Sequence, residues 1–345
     1  MRHAHRLVGI LAAAALLGGT PARASSFAAE MPGDQQQTEK FSKTVPLPKG
    51  GSLDLSNISG DIAITGGAGD QVVIDAVKRG KTAEDLKLVQ IEVIAGASRV
   101  EVRTQYPRER RNVNVSVDFT VTVPRGANVT VRTVSGDLNV ASIDGSLMAD
   151  SVSGDVTVKS AGLLESARTV SGNVLVESAS SDGDISFASV SGDVSLKAVK
   201  ARGIEANSVS GGVDLGDVTC SRAKAKSVSG DIVFAGALAK GGRYSLQSHS
   251  GDVAVYTDGK SGFEVTAGTF SGEISSDLKL VSTFGGEPAA GPPPADAPPG
   301  RHPGRGPGQR VRGTFGDGGA FLELNAFSGD VMIVNKAAAK AAVKK

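Results

Sequence analysis

The dipeptide Ser-Gly recurs ten times in one sequence context, and this repeat limits the possible folds of the 345-residue chain more than any other feature. From Gly136 to Gly272 successive glycines are 18 to 21 residues apart. A Ser or Thr and then usually a Val precede Ser-Gly, and Asp usually follows it. A fixed period of this length indicates stacked structural repeats. After a first copy at Gly60, the glycines expected to form structural turns are Gly136, Gly154, Gly172, Gly192, Gly211, Gly230, Gly251, Gly272 and Gly329.

Apolar residues alternate with smaller or polar ones on both sides of each turn. Val156 and Val158 share one face after a turn, and Ile185 and Phe187 share one face before the next. This period of two is typical of strands with one buried face. A single unit cannot bury that face alone, whereas stacked units can. We therefore predict an all-β, parallel β-solenoid (β-helix-like) of about 19-residue coils with a β-rich N-terminal capping module, and leave open its handedness and whether a coil has two or three sheets. The outward positions before the turns are mostly polar, as at Asp150, Arg168, Asn207, Lys226 and Gln247.

Changes in composition along the chain predict its organisation. Eight of the 14 prolines fall in one Gly-rich stretch that cannot form ladder hydrogen bonds. Thr82 to Asp85 could open one helical turn. The predicted segments are a signal peptide at 1–24, a flexible lead-in at 25–44, the β-rich module at 45–127, solenoid repeats at 128–283, a disordered Pro/Gly-rich insertion at 284–312, final solenoid strands at 313–335 and a basic tail at 336–345.

The N-terminus predicts export. Arg2 and Arg6 precede an apolar run, and Ala22-Arg23-Ala24 fits a cleavage site. We expect a periplasmic or extracellular, cell-surface location and no transmembrane segment after cleavage. Removing residues 1–24 lowers the formal net charge from +1 to −2, because Arg2, Arg6 and Arg23 are lost with no acid. That balance argues against nucleic acid as a partner. Cys220 is the only cysteine, so no intrachain disulfide is possible and the fold must be held by packing alone.

The sequence offers little chemistry for catalysis. After cleavage the only histidines are His249, in a column that is otherwise apolar, and His302, in the insertion. We therefore expect no catalytic residue, no cofactor and no metal site. A polysaccharide-active β-helix enzyme is the main enzymatic alternative, but the chain has no Trp and its acids are periodic rather than clustered.

The Asp residues after Ser-Gly allow one further interpretation. A carboxylate column at coil spacing could bind a hard cation such as Ca²⁺. Asn173, Gly212 and Glu273 interrupt the column, and the chain lacks the nine-residue repeat of Ca²⁺-binding β-rolls. We favour a structural role in the turn over a cation ladder. The candidate cation residues are Asp137, Asp155, Asp193, Asp231 and Asp252.

The residue just before Ser-Gly is apolar in all but one copy. Strict alternation would point it outward, whereas a bend at the preceding Ser or Thr would turn it inward. We expect it to face inward, because a continuous exposed apolar stripe is unusual on a soluble protein. An outward column would be the best candidate for a partner-binding ridge. Its members are Ile58, Val134, Val152, Val170, Val190, Val209, Val228, His249, Phe270 and Phe327.

The repeated Thr/Ser-Val-Ser-Gly-Asp-Val-x-Val, at Thr133–Val140 and Ser151–Val158, resembles the bacterial putative-adhesin family. The segments Val123–Val131 and Val45–Gly51, the latter with Asn57–Asp61, resemble the family's entry into its coils. The resemblance covers roughly residues 45–335. It implies a domain of unknown function with a β-solenoid fold, an extracytoplasmic location and no assigned catalytic residue.

These observations predict an exported, non-catalytic, adhesin-like structural or interaction protein. Its solenoid faces would bind an unknown protein or cell-surface ligand. The second hypothesis is an envelope-stress or signalling accessory protein that binds a membrane partner, and the third is the polysaccharide-active enzyme.

Overall fold

A computed structural model describes residues 36–107, 113–282 and 308–336, and this part of the chain is nearly all β. The predicted signal peptide, most of the Pro/Gly-rich insertion and residues 337–345 of the tail lie outside the described residues. The described strands are β1 Gln37–Pro46, β2 Ser52–Ser59, β3 Ile62–Gly67, β4 Gln71–Gly80, β5 Gln90–Ala95, β6 Arg99–Gln105, β7 Val115–Pro124, β8 Asn128–Ser135, β9 Leu138–Ser153, β10 Val156–Arg168, β11 Val174–Glu177, β12 Asp184–Ala188, β13 Val194–Lys197, β14 Gly203–Asn207, β15 Val213–Ser229, β16 Ile232–Ser250, β17 Val253–Thr257, β18 Phe263–Ser271, β19 Ile274–Ser276, β20 Val281–Ser282, β21 Gln309–Phe315, β22 Ala320–Ser328 and β23 Val331–Asn335.

Parallel pairing between equivalent strands stacks the coils. After the turn, Val174 in β11 lies opposite Val156 in β10 and Val194 in β13. Before the turn, Ile185 in β12 lies opposite Ile204 in β14. We call these two rows the post-turn sheet and the pre-turn sheet. Each coil contributes one strand to each sheet, so the Ser-Gly turns form a corner that runs along the stack.

The core lies between the two sheets. The predicted inward residues after the turns are buried, as the alternation indicated, and Val156, Val174 and Val194 have no exposed surface. Burying such a side chain contributes about 1.5–3 kcal/mol. Tyr244 packs edge-on against Phe234 with ring centroids 5.2 Å apart, and its hydroxyl donates to the carbonyl of Cys220 at 2.8 Å. The largest buried polar side chain of the core therefore has a partner.

A second corner gives several coils a third side. Five stacked non-glycine residues adopt left-handed φ values between 49° and 61°. Short bridges from Ser180 to Lys200 and from Lys200 to Thr219 follow this corner. The left-handed residues are Ser142, Ser160, Ser178, Ala198 and Asp217.

Antiparallel strands lie at the N-terminal end of both sheets. β1 pairs with β4 and β4 with β7 in the post-turn row, and β5 pairs with β6 in the pre-turn row. Residues 37–44, predicted to be flexible, instead belong to β1, because β4 offers them an unpaired edge for ten residue pairs. Helix α1, Ala83–Leu88, begins where expected, with the Thr82 side chain accepting from the Asp85 amide at 3.1 Å.

The coil that is last in sequence is not last in the stack. β22 lies between β16 and β18, and β23 lies between β17 and β19. β21 then pairs antiparallel with β18. Residues 309–312, predicted to be disordered, are therefore part of a strand, because the other edge of β18 is open to them. The described residues contain no helix long and apolar enough to cross a membrane.

Candidate binding surface along the Ser-Gly corner

Glycine lies at the corner because successive coils approach closely there. Gly136, Gly154, Gly172 and Gly192 have φ between +134° and +149°, a region that side chains rarely adopt. A Cβ on Gly172 would lie 2.2 Å from the carbonyl oxygen of Gly154. The backbone of one coil therefore occupies the place of a side chain in the next.

The Asp residues after the turn form a hydrogen-bonded column, which we call the aspartate ladder. The Asp137 carboxylate accepts from the Asp155 amide at 2.9 Å, and Asp155 accepts from the Asn173 amide at 2.7 Å. Each side chain thus holds the backbone of the next coil. In spatial order the ladder comprises Asp61, Asp137, Asp155, Asn173, Asp193, Gly212, Asp231, Asp252, Asp330 and Glu273.

The departures from Asp have separate structural explanations. Asn173 keeps an acceptor oxygen, which receives the Asp193 amide at 2.9 Å. Glu273 is the last member in space, and its amide donates to Asp330 at 2.8 Å. The Gly212 amide donates to Asp193 at 2.8 Å, but Gly212 has no side chain that could accept from the Asp231 amide. The ladder is therefore interrupted before Asp231. Hydrogen bonding to the neighbouring coil accounts for the column without a bound cation.

Hydroxyl groups fill the inward position just before the corner. Thr169 donates to the Gly154 carbonyl at 3.0 Å, and Ser189 donates to the Gly172 carbonyl at 2.8 Å. Ser208, Ser227, Ser248 and Thr269 make equivalent bonds. These six hydroxyls tie their corners to a neighbouring coil, and they occupy the inward place that an apolar residue would otherwise take. The equivalent Thr133 and Ser151 hydroxyls are buried without a hydrogen-bond partner, and Ala326 takes this place in the coil of Phe327.

The apolar column therefore faces outward, and the expectation that it faces inward was wrong. Strand alternation continues through the buried hydroxyl to the next residue, which points to solvent. The nine apolar members expose between 41 and 57% of their surface. We call the column the apolar ridge. In spatial order it comprises Ile58, Val134, Val152, Val170, Val190, Val209, Val228, His249, Phe327 and Phe270.

The ridge ends in three stacked rings. His249 stacks on Phe327 with centroids 4.7 Å apart, and Phe270 stacks on the other face of Phe327 at 4.9 Å. This order follows from the insertion of β22 between β16 and β18. The ring planes are nearly parallel, with an angle of 12° between His249 and Phe327 and of 1° between Phe270 and Phe327, so the ring edges lie in one row.

Different charges flank the ridge on its two sides. The aspartate ladder follows three residues after each ridge position and carries eight acids. Two residues before each ridge position, the outward column is Ser56, Arg132, Asp150, Arg168, Ala188, Asn207, Lys226, Gln247, Asn325 and Gly268. This second column, which we call the polar column, carries three basic residues and one acid. The ridge therefore separates an acidic stripe from a weakly basic one.

A groove of about 780 Å³ lies on the outer face of the pre-turn sheet. Arg222 donates to both oxygens of Asp184, at 3.0 and 2.8 Å. Desolvation raises the pKa of Asp184, but hydrogen bonds and attraction to Arg222 and Arg202 together outweigh it and hold that pKa below its usual value. Lys224 and Glu205 pair at 2.9 Å. These groups neutralise each other within the chain, which leaves the ridge as the stronger candidate surface.

The described residues bring together no cluster suited to metal binding. Within 36–107, 113–282 and 308–336, no three or more His, Cys, Asp and Glu residues lie where they could hold a metal ion. Cys220 is buried, and burial raises the pKa of its thiol to about 11. His249, the one described histidine, belongs to the ring stack. His302 lies outside the described residues.

The sequence of the chain matches the model of one protein family. The family model described as Toastrack DUF4097 matches residues 24–213 and 167–286. The chain belongs to this family. Toastrack DUF4097 membership supports the predicted family of unknown function with a β-solenoid-like fold. No curated protein matches the chain.

Several solved structures are similar to this Toastrack DUF4097 chain. A putative adhesin from Bacteroides fragilis is 13% identical, with a TM-score of 0.40, over 86% of this chain and 97% of that one. A putative cell adhesion protein from Clostridium sporogenes is 13% identical, with a TM-score of 0.22, over 87% and 100%. A putative lipid binding protein from Parabacteroides distasonis is 10% identical, with a TM-score of 0.38, over 64% and 90%.

Proposed function

We propose that the chain is an exported, non-catalytic interaction protein that binds a partner through the apolar ridge. The observation that carries the proposal is the exposure of one outward column on ten stacked coils, apolar in nine of them and occupied by His249 in the other. Contiguous exposed apolar surface of this kind marks interaction sites. The signal peptide predicted at residues 1–24 supports a periplasmic or cell-surface location.

The ridge has the composition of a binding surface. Removing apolar area from water contributes about 25 cal/mol per Å², and β-branched side chains lose little rotamer freedom on binding. Phe327 and Phe270 add large, rigid surfaces of the type that dominates interface energetics. The exposed Ser residues next to the ridge can exchange hydrogen bonds with water or with a partner, so that burial there needs no charge compensation.

The rest of the fold supports the surface by holding the coils in register. Coils of about 19 residues keep the ridge residues one strand spacing apart, at about 4.8 Å. The antiparallel strands β1, β4 and β21 pair with strand edges that further parallel coils would otherwise extend.

Site-specific crosslinking tests the proposal in intact envelopes. A photoreactive amino acid at Val190 in the full chain should yield adducts that the same group at Ser195, which points outward from the neighbouring post-turn sheet, does not yield. Equal yields at both positions, or no adduct at Val190, would contradict binding through the ridge. An adduct with an inner-membrane protein would favour the envelope-stress or signalling hypothesis over adhesion.

An enzyme assay tests the remaining alternative, a polysaccharide-active enzyme. The full chain incubated with a polysaccharide panel should release no reducing sugar above a heat-denatured control. Sugar release that requires the folded chain would overturn the non-catalytic part of the proposal.

A further inference from the structure

We infer that the partner of the apolar ridge is a second copy of this chain, bound parallel to the first with its two-fold axis along the solenoid. The inference rests on the proposed function, because it names the occupant of the same surface. It is carried by the size of the ridge, its regular spacing and the unequal charges on its two sides.

The ridge alone offers most of the area that one partner needs. Nine apolar side chains that are 41 to 57% exposed present on the order of 600 Å² together, against about 800 Å² per partner in a standard interface. The adjoining Ser residues, such as Ser171 and Ser191, would supply the remainder. A pair of ridges therefore reaches the size of a specific interface without any contribution from residues outside the described part of the chain.

The spacing of the side chains along the ridge limits which partner can bind over it. Its side chains repeat with the strand separation of about 4.8 Å over ten coils. A partner must carry apolar groups at that same interval to cover them coil by coil. A second ridge meets this requirement at every coil, and two columns of β-branched side chains at matching levels can pack against each other as dry, tight layers. Their restricted χ1 angles keep the entropy cost of packing low.

The flanking charges select the relative direction of the two copies. In an antiparallel pair, the two-fold axis crosses the solenoids and brings the eight acids of one aspartate ladder to the same side as the eight acids of the other. In a parallel pair, each ladder faces the polar column of the other copy, which has a net charge of +2 from Arg132, Arg168, Lys226 and Asp150. Juxtaposed like charges are costly at an interface, so the parallel arrangement is favoured.

A parallel pair also places each ridge residue opposite its own copy. The ring stack of His249, Phe327 and Phe270 then meets the same stack of the partner, and the valines meet valines. In this register, a cysteine introduced on the ridge lies next to the same cysteine of the second copy, which disulfide crosslinking can detect. The native Cys220 does not interfere, because it is buried and burial raises its pKa to about 11.

The experiment uses the full mature chain with one cysteine introduced on the ridge. Val170 and Val228 lie the same number of coils from the centre of the ridge. Under oxidised glutathione, we expect V170C and V228C each to form a disulfide-linked homodimer. A mixture of the two, one with a size tag, should give only the two homodimers. A V170C–V228C heterodimer would overturn the parallel arrangement.

Sedimentation equilibrium of the unmodified chain tests the association itself. We expect a dimer whose dissociation constant rises at least about tenfold in V190K, because a lysine cannot be buried against valine without cost. The matched control S195K, on the neighbouring face, should dimerise as the wild type does. A dimer that persists in V190K would move the interface away from the ridge.

A monomer at every concentration would overturn the second copy as occupant but not the proposed function. In that case photocrosslinking from Val190 in envelopes should still capture another molecule. If the chain is monomeric and Val190 also captures nothing, the proposed function fails as well.

Discussion

The aspartate ladder and the apolar ridge recur in the same coils, three residues apart, yet they have opposite relations to the rest of the molecule. Each ladder oxygen that faces the next coil accepts one of its backbone amides, as Asp155 does from Asn173 at 2.7 Å. The nine apolar ridge side chains can satisfy no backbone group, and about half of each residue is exposed. Repetition alone therefore does not distinguish a structural column from a surface available for binding.

The contacts of the side chains do distinguish a structural column from a binding surface. A polar side chain repeated at every coil can be explained by the backbone group that it satisfies. An apolar side chain that is repeated and half exposed leaves about half of its surface in water, so folding alone does not explain why that position is apolar. The predictions below test this difference, beginning with the corner that both columns share.

The largest effect should come from the corner glycine. In G172A, a Cβ would be placed 2.2 Å from the Gly154 carbonyl oxygen at a φ of +145°, so both the backbone conformation and the stacking must change. We expect the free energy of unfolding to fall by about 3 kcal/mol or more, measured by urea denaturation followed by circular dichroism.

Gly126 provides the matched control for that change. It has nothing within 4 Å of an added Cβ, so G126A should change the free energy of unfolding by no more than about 0.5 kcal/mol. If G172A were as stable as G126A, close stacking at the corner would not be what holds the coils together.

The ladder should show the next largest effect. D155A removes the acceptor of the Asn173 amide, and we expect a loss of about 1 kcal/mol in the same denaturation experiment. D155N keeps an acceptor oxygen and should lose less than half as much, as the natural Asn173 suggests. Equal losses in the two variants would mean that the carboxylate charge matters more than the hydrogen bond.

The sequence was sufficient to predict the repeat, the stacked strands and the buried face, because the period of two and the recurring glycine are local signals. It did not predict the direction of the ridge, because that depends on Thr169 and Ser189 bonding to carbonyls of another coil. Nor did it predict the second corner, where Ser142 and Ser160 take left-handed conformations without a glycine to mark them. The position of β22 between β16 and β18 was also missed, since chain order does not determine stacking order.

A smaller and opposite effect is expected where the ladder is interrupted. In G212N, the new side-chain oxygen can accept from the Asp231 amide, and the unfolded chain loses conformational freedom. The added Cβ lies 3.3 Å from the Asp231 carbonyl oxygen, which offsets part of this gain. We expect a net stabilisation of about 0.5 kcal/mol by urea denaturation. G212A lacks the acceptor and should not be stabilised to the same extent; equal gains would assign the effect to the unfolded chain alone.

The smallest effect on folding should come from the ridge itself. V190S replaces a half-exposed apolar side chain, so at a protein concentration where the chain is monomeric we expect the free energy of unfolding to change by less than about 0.5 kcal/mol. V194S, four residues later and fully buried, should lose about 2 kcal/mol or more in the same experiment, because it leaves a hydroxyl in the core. If V190S destabilised the monomer as much as V194S, the ridge valines would stabilise the folded monomer. That role would explain their apolar character without a binding partner. A stable V190S monomer with weakened self-association would instead separate the two columns by experiment: the ladder stabilises the coils, and the ridge contributes to what the coils bind.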